Sequence, residues 1–395
     1  MARDYGDGSI DARGKDRWRL RYRINGKRYT KTVRGSISDA KRELRSLLKS
    51  GDDGEHVAPN RITVSEWIDT WIELRRHKIT ARTLERYAEL MRLHVKPTLG
   101  EKRLQAVTSV MLDKLYQGMR DKEFSEGTIR YVHTVLGGCF RTAQQKTYIT
   151  RNPMDGAEAP STGDEDAGQA LEQEQLTTLV NGFRECSLFA IVATAAYTGA
   201  RRGEILALRW VDLDTEAKTL RIERAIEETK THGLRLKDPK TERGKRTIMI
   251  DDGLIALFRA EREKYLRIVA GVPDGSSVDL SFVKLPADAL IFPAPLVPGA
   301  NDLNGLSTLR TPRNVTKEFS RKSKALGFAS LRFHDLRVTH ETLLLDAGVP
   351  VHVVAARCGH DPAIMLRVYA KRTRKADTSA AAIIGGLSRG TLRAS

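Results

Sequence analysis

In the C-terminal half, the stretch TGARRGEILAL sets Arg201 where one helix ends at a glycine and the next begins, with Glu204 three residues on. A carboxylate one helical turn away can hydrogen-bond a guanidinium and hold its orientation, although the same spacing also makes ordinary surface ion pairs. LKDPKTERGKRTIMI places Lys240 in a tight polar turn between two expected strands, a hairpin tip that can reach into a groove or stay solvated. FHDLR sets His334 and Arg337 on one face of an expected helix, and the apolar flanks Leu331, Phe333, Leu336 and Leu343 to Leu345 imply that this helix is largely buried. A buried arginine needs an anion, whether a structural carboxylate or a ligand. In CGHDPAIMLRVY, Gly359 is a helix stop, and Asp361-Pro362 is a cap followed by proline at the first helical position. His360 therefore stands just outside a helix N-terminus, where amides and dipole favour an anion, or where a histidine simply caps or packs. Tyr369 falls near the end of that short helix.

Two arginines, two histidines, a lysine and a tyrosine hydroxyl in one segment suit phosphoryl transfer without metal. The nonbridging oxygens of a phosphodiester gain charge as a nucleophile attacks in line, and two guanidinium forks can hold that charge. A phenolic nucleophile with an ordinary pKa near ~10 needs a base or cationic neighbours at neutral pH, and the leaving sugar oxygen needs a proton from a general acid. Competing chemistries lack their residues. THETLL is not the spacing of a zinc protease, no Walker-type glycine loop is present, and Asp212 with Asp214 reads as a turn rather than a two-metal carboxylate pair. Cys139, Cys186 and Cys358 are too scattered for a disulfide framework or a zinc site and read as reduced packing residues. No metal and no cofactor are expected.

Elements that could position these groups emerge from composition and periodicity. A chain of 395 residues implies two or three domains. It lacks a run of about 18 apolar residues, and MARDYGDGSIDARGK has no signal-peptide core, so a cytoplasmic protein is expected, with no membrane partner. The net charge of +17 and pI near 9.8 point to a polyanion, nucleic acid first. Residues 1–50 concentrate that charge, with fifteen Lys or Arg against six Asp or Glu. There RWRLRYRINGKRYTKTV alternates with period two about Asn25-Gly26, the signature of a β-hairpin with a two-residue turn. Trp18, Leu20, Tyr22 and Ile24 share one face; Arg17, Arg19, Arg21 and Arg23 share the other. Pairing across the turn sets Arg23 opposite Arg28 and Arg21 opposite Thr30, so like charges adjoin and would repel unless phosphates neutralise them. SISDAKRELRSLLKS follows, with Ser38 as the expected helix cap and Ala40, Leu44, Leu47 and Leu48 as the covering stripe.

The expected organisation is α+β and multidomain. Residues 1–50 form a small three-stranded sheet with one helix, and 51–60 a linker. Residues 61–157 form a four-helix domain in which Trp67 and Trp71 share a helical face and a second helix runs until Pro97 and Gly100. A linker follows at 158–170, within the acidic GAEAPSTGDEDAGQA. Residues 171–375 form a mainly α domain with a small antiparallel sheet, its strands in KTLRIERAI, LRLKD and RTIMID, and 376–395 a tail. The proline-dense stretch 270–312 shows no clear period.

TGARRGEILALRWVDLD, PKTERGKRT, HDLR with LLLDAGV, and GHDPAIMLRVY resemble, in order, the catalytic domain of tyrosine recombinases, the phage integrase family. The basic hairpin domain resembles the arm-site-binding domain of integrases that bind two classes of DNA site, and the middle helices their core-site-binding domain. The resemblance implies the tyrosine recombinase fold and a site-specific integrase of a temperate phage or mobile element, cutting and rejoining DNA without metal or ATP. By the same resemblance Arg201 and Arg337 clamp the scissile phosphate, Lys240 protonates the leaving 5′ oxygen, His334 assists as a base, and His360 hydrogen-bonds the phosphate. Tyr369 attacks phosphorus to form a 3′-phosphotyrosyl link, and Glu204 is the acidic residue behind Arg201. The implied partners are double-stranded DNA with core and arm sites, a homo-tetramer, an excisionase or directionality factor and a host DNA-bending protein. Cys358 replaces the leucine common before GH, and Val338 a histidine found after HDLR in many relatives. Family members pass C-terminal segments between protomers, which gives the apolar Ala380 to Leu387 a place to dock. Competing readings are a resolvase-like or type IB topoisomerase-like enzyme, against which the added basic domain argues, or a catalytically inactive DNA-binding protein, which the complete residue set disfavours.

Overall fold

The computed structural model describes residues 8–24, 26–52, 57–58, 60–161, 168–238, 244–273, 275–295 and 303–369. The chain divides into two compact units, Met1–Glu165 and Asp166–Ser395. In the first unit, β1 (Ser9–Ala12), β2 (Arg17–Ile24) and β3 (Lys27–Arg34) form an antiparallel sheet in that order. The register is the one alternation demands: Arg23 faces Arg28 and Arg21 faces Thr30. Gly26 takes φ 75°, the left-handed turn conformation glycine accepts without strain; Asn25 lies outside the described residues. Helix α1 (Ile37–Asp52) covers the apolar face, burying Leu20, Tyr22 and Ile24 against Ala40 and Leu44.

Its cap is Ser36, not the expected Ser38. The Asp39 amide donates to Ser36 Oγ at 3.2 Å and the Ser36 amide to Asp39 Oδ2 at 3.0 Å. This reciprocal box needs an acceptor three residues after the cap; Asp39 supplies it for Ser36, whereas Ser38 would find Lys41.

Four longer helices follow: α2 (Val64–Arg75), α3 (Ala81–Leu90), then, beyond the single turn α4 (Lys96–Leu99), α5 (Ser109–Arg120) and α6 (Glu126–Gln145). Trp67 and Trp71 are buried and satisfied, their indole N–H groups donating to Cys139 O at 3.2 Å and Thr142 Oγ1 at 3.1 Å. The helical path of the second helix ends at Gly100, as expected. A π-turn over Met91–Val95 joins α3 to α4, and the Lys96 amide reaches back five residues to Met91 O. The wider turn lets the chain carry proline within α4 without the clash of a regular helix.

The second unit begins with α7 (Gln173–Gly182) and α8 (Phe189–Thr198). FAIVATAAYT is apolar all round, as a helix enclosed by others must be. After the turn α9 (Arg202–Ile205) come β4 (Leu213–Asp214) and β5 (Thr219–Ile222), then a hairpin of β6 (Ala225–Thr229) with β7 (Gly233–Lys237), and β8 (Arg246–Met249), which returns to β5. KTLRIERAI is thus two strands. Asp212, buried, binds the Arg224 guanidinium at 2.6 Å from Oδ2 and pins the break, after which the chain pairs with a different partner. Helices α10 (Asp252–Ala270), α11 (Pro312–Ala325), α12 (Asp335–Asp346), α13 (Val351–Cys358) and α14 (Pro362–Tyr369) complete the unit. Its main core joins Phe183, Ile191, Leu220, Phe258, Phe319 and Leu336. Among the described residues, no helix is long and apolar enough to cross a membrane.

Candidate active site

Three of the singled-out residues meet at the corner between α13 and α14. Gly359 ends α13 at φ 64°, with His360 N–H bonding to Ala355 O at 2.9 Å and Gly359 N–H to Ala356 O at 3.1 Å. This paired closure fixes the backbone of His360. The Asp361 side chain then accepts from the Ala363 amide at 2.9 Å and starts α14 at Pro362.

Arg337 reaches this corner from α12. Its Nη2 donates to Cys358 O at 2.6 Å, its Nη1 to Gly199 O at 2.8 Å, and its Nε lies 3.3 Å from His360 Nε2. Gly199 ends α8 as Gly359 ends α13, so two helix C-termini turn their negative ends on one guanidinium. Arg337 is only 2% exposed, and burial lowers its pKa from the ordinary value. Among the described residues these contacts leave one N–H on each terminal nitrogen uncommitted, enough for a fork on an anion.

Arg201 arrives from the other side. It caps α9, its Nη2 donates to Gly359 O at 3.1 Å, and its Nη1 to Glu204 Oε1 at 2.9 Å. The second Glu204 oxygen accepts from the Arg201 amide at 2.8 Å and from Arg246 Nη2 at 2.8 Å. Burial pushes the Glu204 carboxyl up, but the Arg246 hydrogen bond and charge, then the Arg201 amide and charge, outweigh it and hold it below its ordinary value. Glu204 is a charged brace at neutral pH.

His334 precedes α12 by one residue and presents an edge to solvent. The protein packed around it and then the charge of Arg337 lower its pKa, so the imidazole is neutral and free to accept a proton. Tyr369 is the last residue of α14, whose backbone runs about 10 Å from the corner; only its backbone belongs to the described structure. Lys240 lies outside the described residues. The hairpin leading to it is anchored by Glu227, which is buried on β6 and takes Lys237 Nζ at 2.7 Å and Arg235 Nη2 at 3.0 Å from β7.

Two residues of the site were not singled out from the sequence. Arg246 sits on β8 with the parity of buried Ile248, so an arginine on the inward face of a strand was the available signal. Its Nε also holds Arg357 O at 2.7 Å, tying the sheet to α13. Glu341 stands one turn after Arg337 on α12, and its Oε1 lies 2.9 Å from Arg337 Nε. That spacing was legible as an i,i+4 pair.

In the first unit, Arg17, Arg21 and Arg23 of β2 and Arg28 of β3 are exposed, and Arg19 is partly so. Arg17 faces Arg34 and Arg23 faces Arg28, while Arg21 is tied to Asp11 of β1 at 2.8 Å.

The chain is similar to known proteins along most of its length. The phage integrase family model matches residues 169–375, and the phage integrase N-terminal SAM-like domain matches residues 63–120. A tyrosine recombinase XerC-like protein of Caldanaerobacter subterraneus subsp. tengcongensis is 25% identical over 95% of this chain and 97% of its own. An integrase of Streptomyces ambofaciens is 25% identical over 98% of this chain and 97% of its own. Among solved structures, the Tn1549 transposon integrase in complex with a circular intermediate DNA superimposes with a TM-score of 0.63 at 20% identity, covering 78% of this chain and 94% of that one. A lambda integrase dimer bound to a COC′ core site gives a TM-score of 0.59 at 17% identity, covering 92% and 95%. The chain belongs to the phage integrase family, the tyrosine recombinases.

Proposed function

We propose that this recombinase cuts and rejoins DNA at attachment sites of a temperate phage or mobile element, through a covalent 3′-phosphotyrosyl intermediate. The observation that carries the reading is the convergence of Arg201, Arg337 and His360 on one corner, each guanidinium held by helix-terminal carbonyls and a carboxylate. The two guanidinium groups grip the nonbridging oxygens of the scissile phosphate, and His360 donates to the same group. Tyr369, on the helix that leaves this corner, attacks phosphorus. The new P–O bond to tyrosine replaces the bond to the 5′ oxygen, which leaves with a proton from Lys240, while neutral His334 takes the phenolic proton. A 5′ hydroxyl of the partner strand reverses the step, and the phosphodiester energy is conserved in the tyrosyl link, so no ATP is consumed.

The hairpin arginines bind arm-type sites through phosphates, the helical domain binds core sites, and four protomers assemble on DNA. A directionality factor and a host bending protein act with them in the bacterial cytoplasm. A lambda integrase tetramer bound to a Holliday junction shares the fold, with a TM-score of 0.54, and supports the assembly.

The test is a denaturing gel of the protein with nicked, end-labelled site DNA. A protein–DNA band is expected with the wild type and not with Tyr369→Phe. A band persisting in that variant would refute the nucleophile, and no band with any site DNA would favour an inactive DNA-binding protein.

A further inference from the structure

Glu341 is the one carboxylate drawn to both Arg337 and His360 among the described residues. Its Oε1 lies 2.9 Å from Arg337 Nε and 3.1 Å from His360 Nε2, and its side chain is 15% exposed. The buried Cys358 thiol faces it as well, and the nearby charges reach His334 and His340. Burial alone would push the Glu341 carboxyl up; the adjoining His360 ring and then the Arg337 charge hold it below its ordinary value, so it is ionised at neutral pH.

Two demands meet at this point. Arg337 is enclosed, and the carbonyls of Gly199 and Cys358 offer dipoles but no full countercharge. Meanwhile the Arg337 Nε–H points at His360 Nε2, which accepts it, so the guanidinium must be held in that orientation. The carboxylate answers both: Oε1, with no hydrogen bond of its own among the described residues, sets a full negative charge beside the guanidinium and keeps it against the ring.

We propose that Glu341 is a positioning residue of the recombination site, an internal counter-ion that aims Arg337 and holds it against His360 before DNA arrives. This rests on the phosphate-binding roles proposed for those two residues.

The experiment is single-turnover formation of the covalent complex by the full chain on saturating nicked site DNA, with wild type, Glu341→Gln, Glu341→Asp and Tyr369→Phe side by side. Gln keeps the shape and removes the charge. The expected result is a rate constant lower by about tenfold or more in Glu341→Gln, at unchanged final amplitude and unchanged DNA affinity, with Asp recovering most of the rate. A wild-type rate constant in Glu341→Gln overturns the proposal, and so does a lower amplitude at an unchanged rate constant, which marks a folding role alone. Covalent complex formed by Tyr369→Phe would instead overturn the catalytic reading beneath it.

Discussion

Acidification should loosen the catalytic unit through a single buried imidazole. His340 on α12 is 8% exposed; its Nδ1 lies 2.9 Å from Ala196 O on α8 and its Nε2 accepts from Arg357 Nε on α13 at 3.1 Å. Accepting from Arg357 requires a neutral ring with its hydrogen on Nδ1, donated to Ala196. Burial first, and then the Arg357 charge, lower the pKa of His340 from 6.5 to about 4. Above pH ~6.5 the ring is neutral whether the chain is folded or not, and the folded state keeps its full advantage. Between ~6.5 and ~4 the unfolded chain takes up the proton and the folded one does not, so stability falls, by about 2 kcal/mol at pH ~5 and about 3 kcal/mol in the acid limit.

Hydrogen exchange of the full chain, read on peptides from α8 and α12 and corrected for intrinsic rates, measures this locally. Between about pH 7.5 and about pH 5 the corrected exchange should accelerate roughly 30-fold more in wild type than in His340→Gln, whose amide accepts from Arg357 without titrating. His334 also titrates in this window, but it is present in both proteins and cancels. Parallel acid responses in the two proteins would falsify the assignment.

Gly199→Ala should destabilise the second unit by about 2–4 kcal/mol, because φ is 65° and a Cβ would stand 2.6 Å from His340 Cδ2 and 3.0 Å from Cys358 Sγ. Calorimetry checks it, and an unchanged melting temperature rules the clash out. Arg246→Ala removes one of two cations from buried Glu204 and should cost about 3 kcal/mol while slowing covalent-complex formation, since Arg201 loses its fixed brace; urea melts and the gel assay together decide it, and wild-type behaviour in both contradicts it. Arg28→Glu faces Arg23 and should have opposite effects on stability and binding: a higher melting temperature for the hairpin domain, yet weaker arm-site binding with a salt slope reduced by about one or more. Equal DNA affinity and slope would remove the hairpin from the DNA-contact surface.

What the sequence made legible was local. Period-two alternation around Gly26 sufficed for the register of β2 and β3, because a one-residue slip would turn Leu20, Tyr22 and Ile24 to solvent. Gly199 and Gly359 announced helix ends, and those ends supply the carbonyls that seat Arg337 and Arg201. The misreadings arose where one rule was applied without its partner. Ser38 satisfied cap preference but not the box that favours Ser36. Pro97 and Gly100 together marked the end of the second helix, but the π-turn before them leaves no mark in apolar spacing.

The deeper omission was distance along the chain. Arg246 and Glu204 are separated by 42 residues, and nothing in GKRTIMI names that partner. His340 entered the sequence reading only within THETLL, as a spacing no zinc protease uses, whereas α8 and α13 close on both of its nitrogens. These buried polar links have a common logic. Arg201, Arg337 and His360 come from three separate stretches, and apolar packing alone would leave their heads free to rotate. Arg246, Glu341 and His340 each tie two of those stretches together, and Glu204 ties Arg201 to β8, by polar contacts in a dry interior. A site that must present two guanidinium groups to one phosphate needs that rigidity more than it needs further apolar burial, which is why charged residues occupy positions where leucine would pack more cheaply.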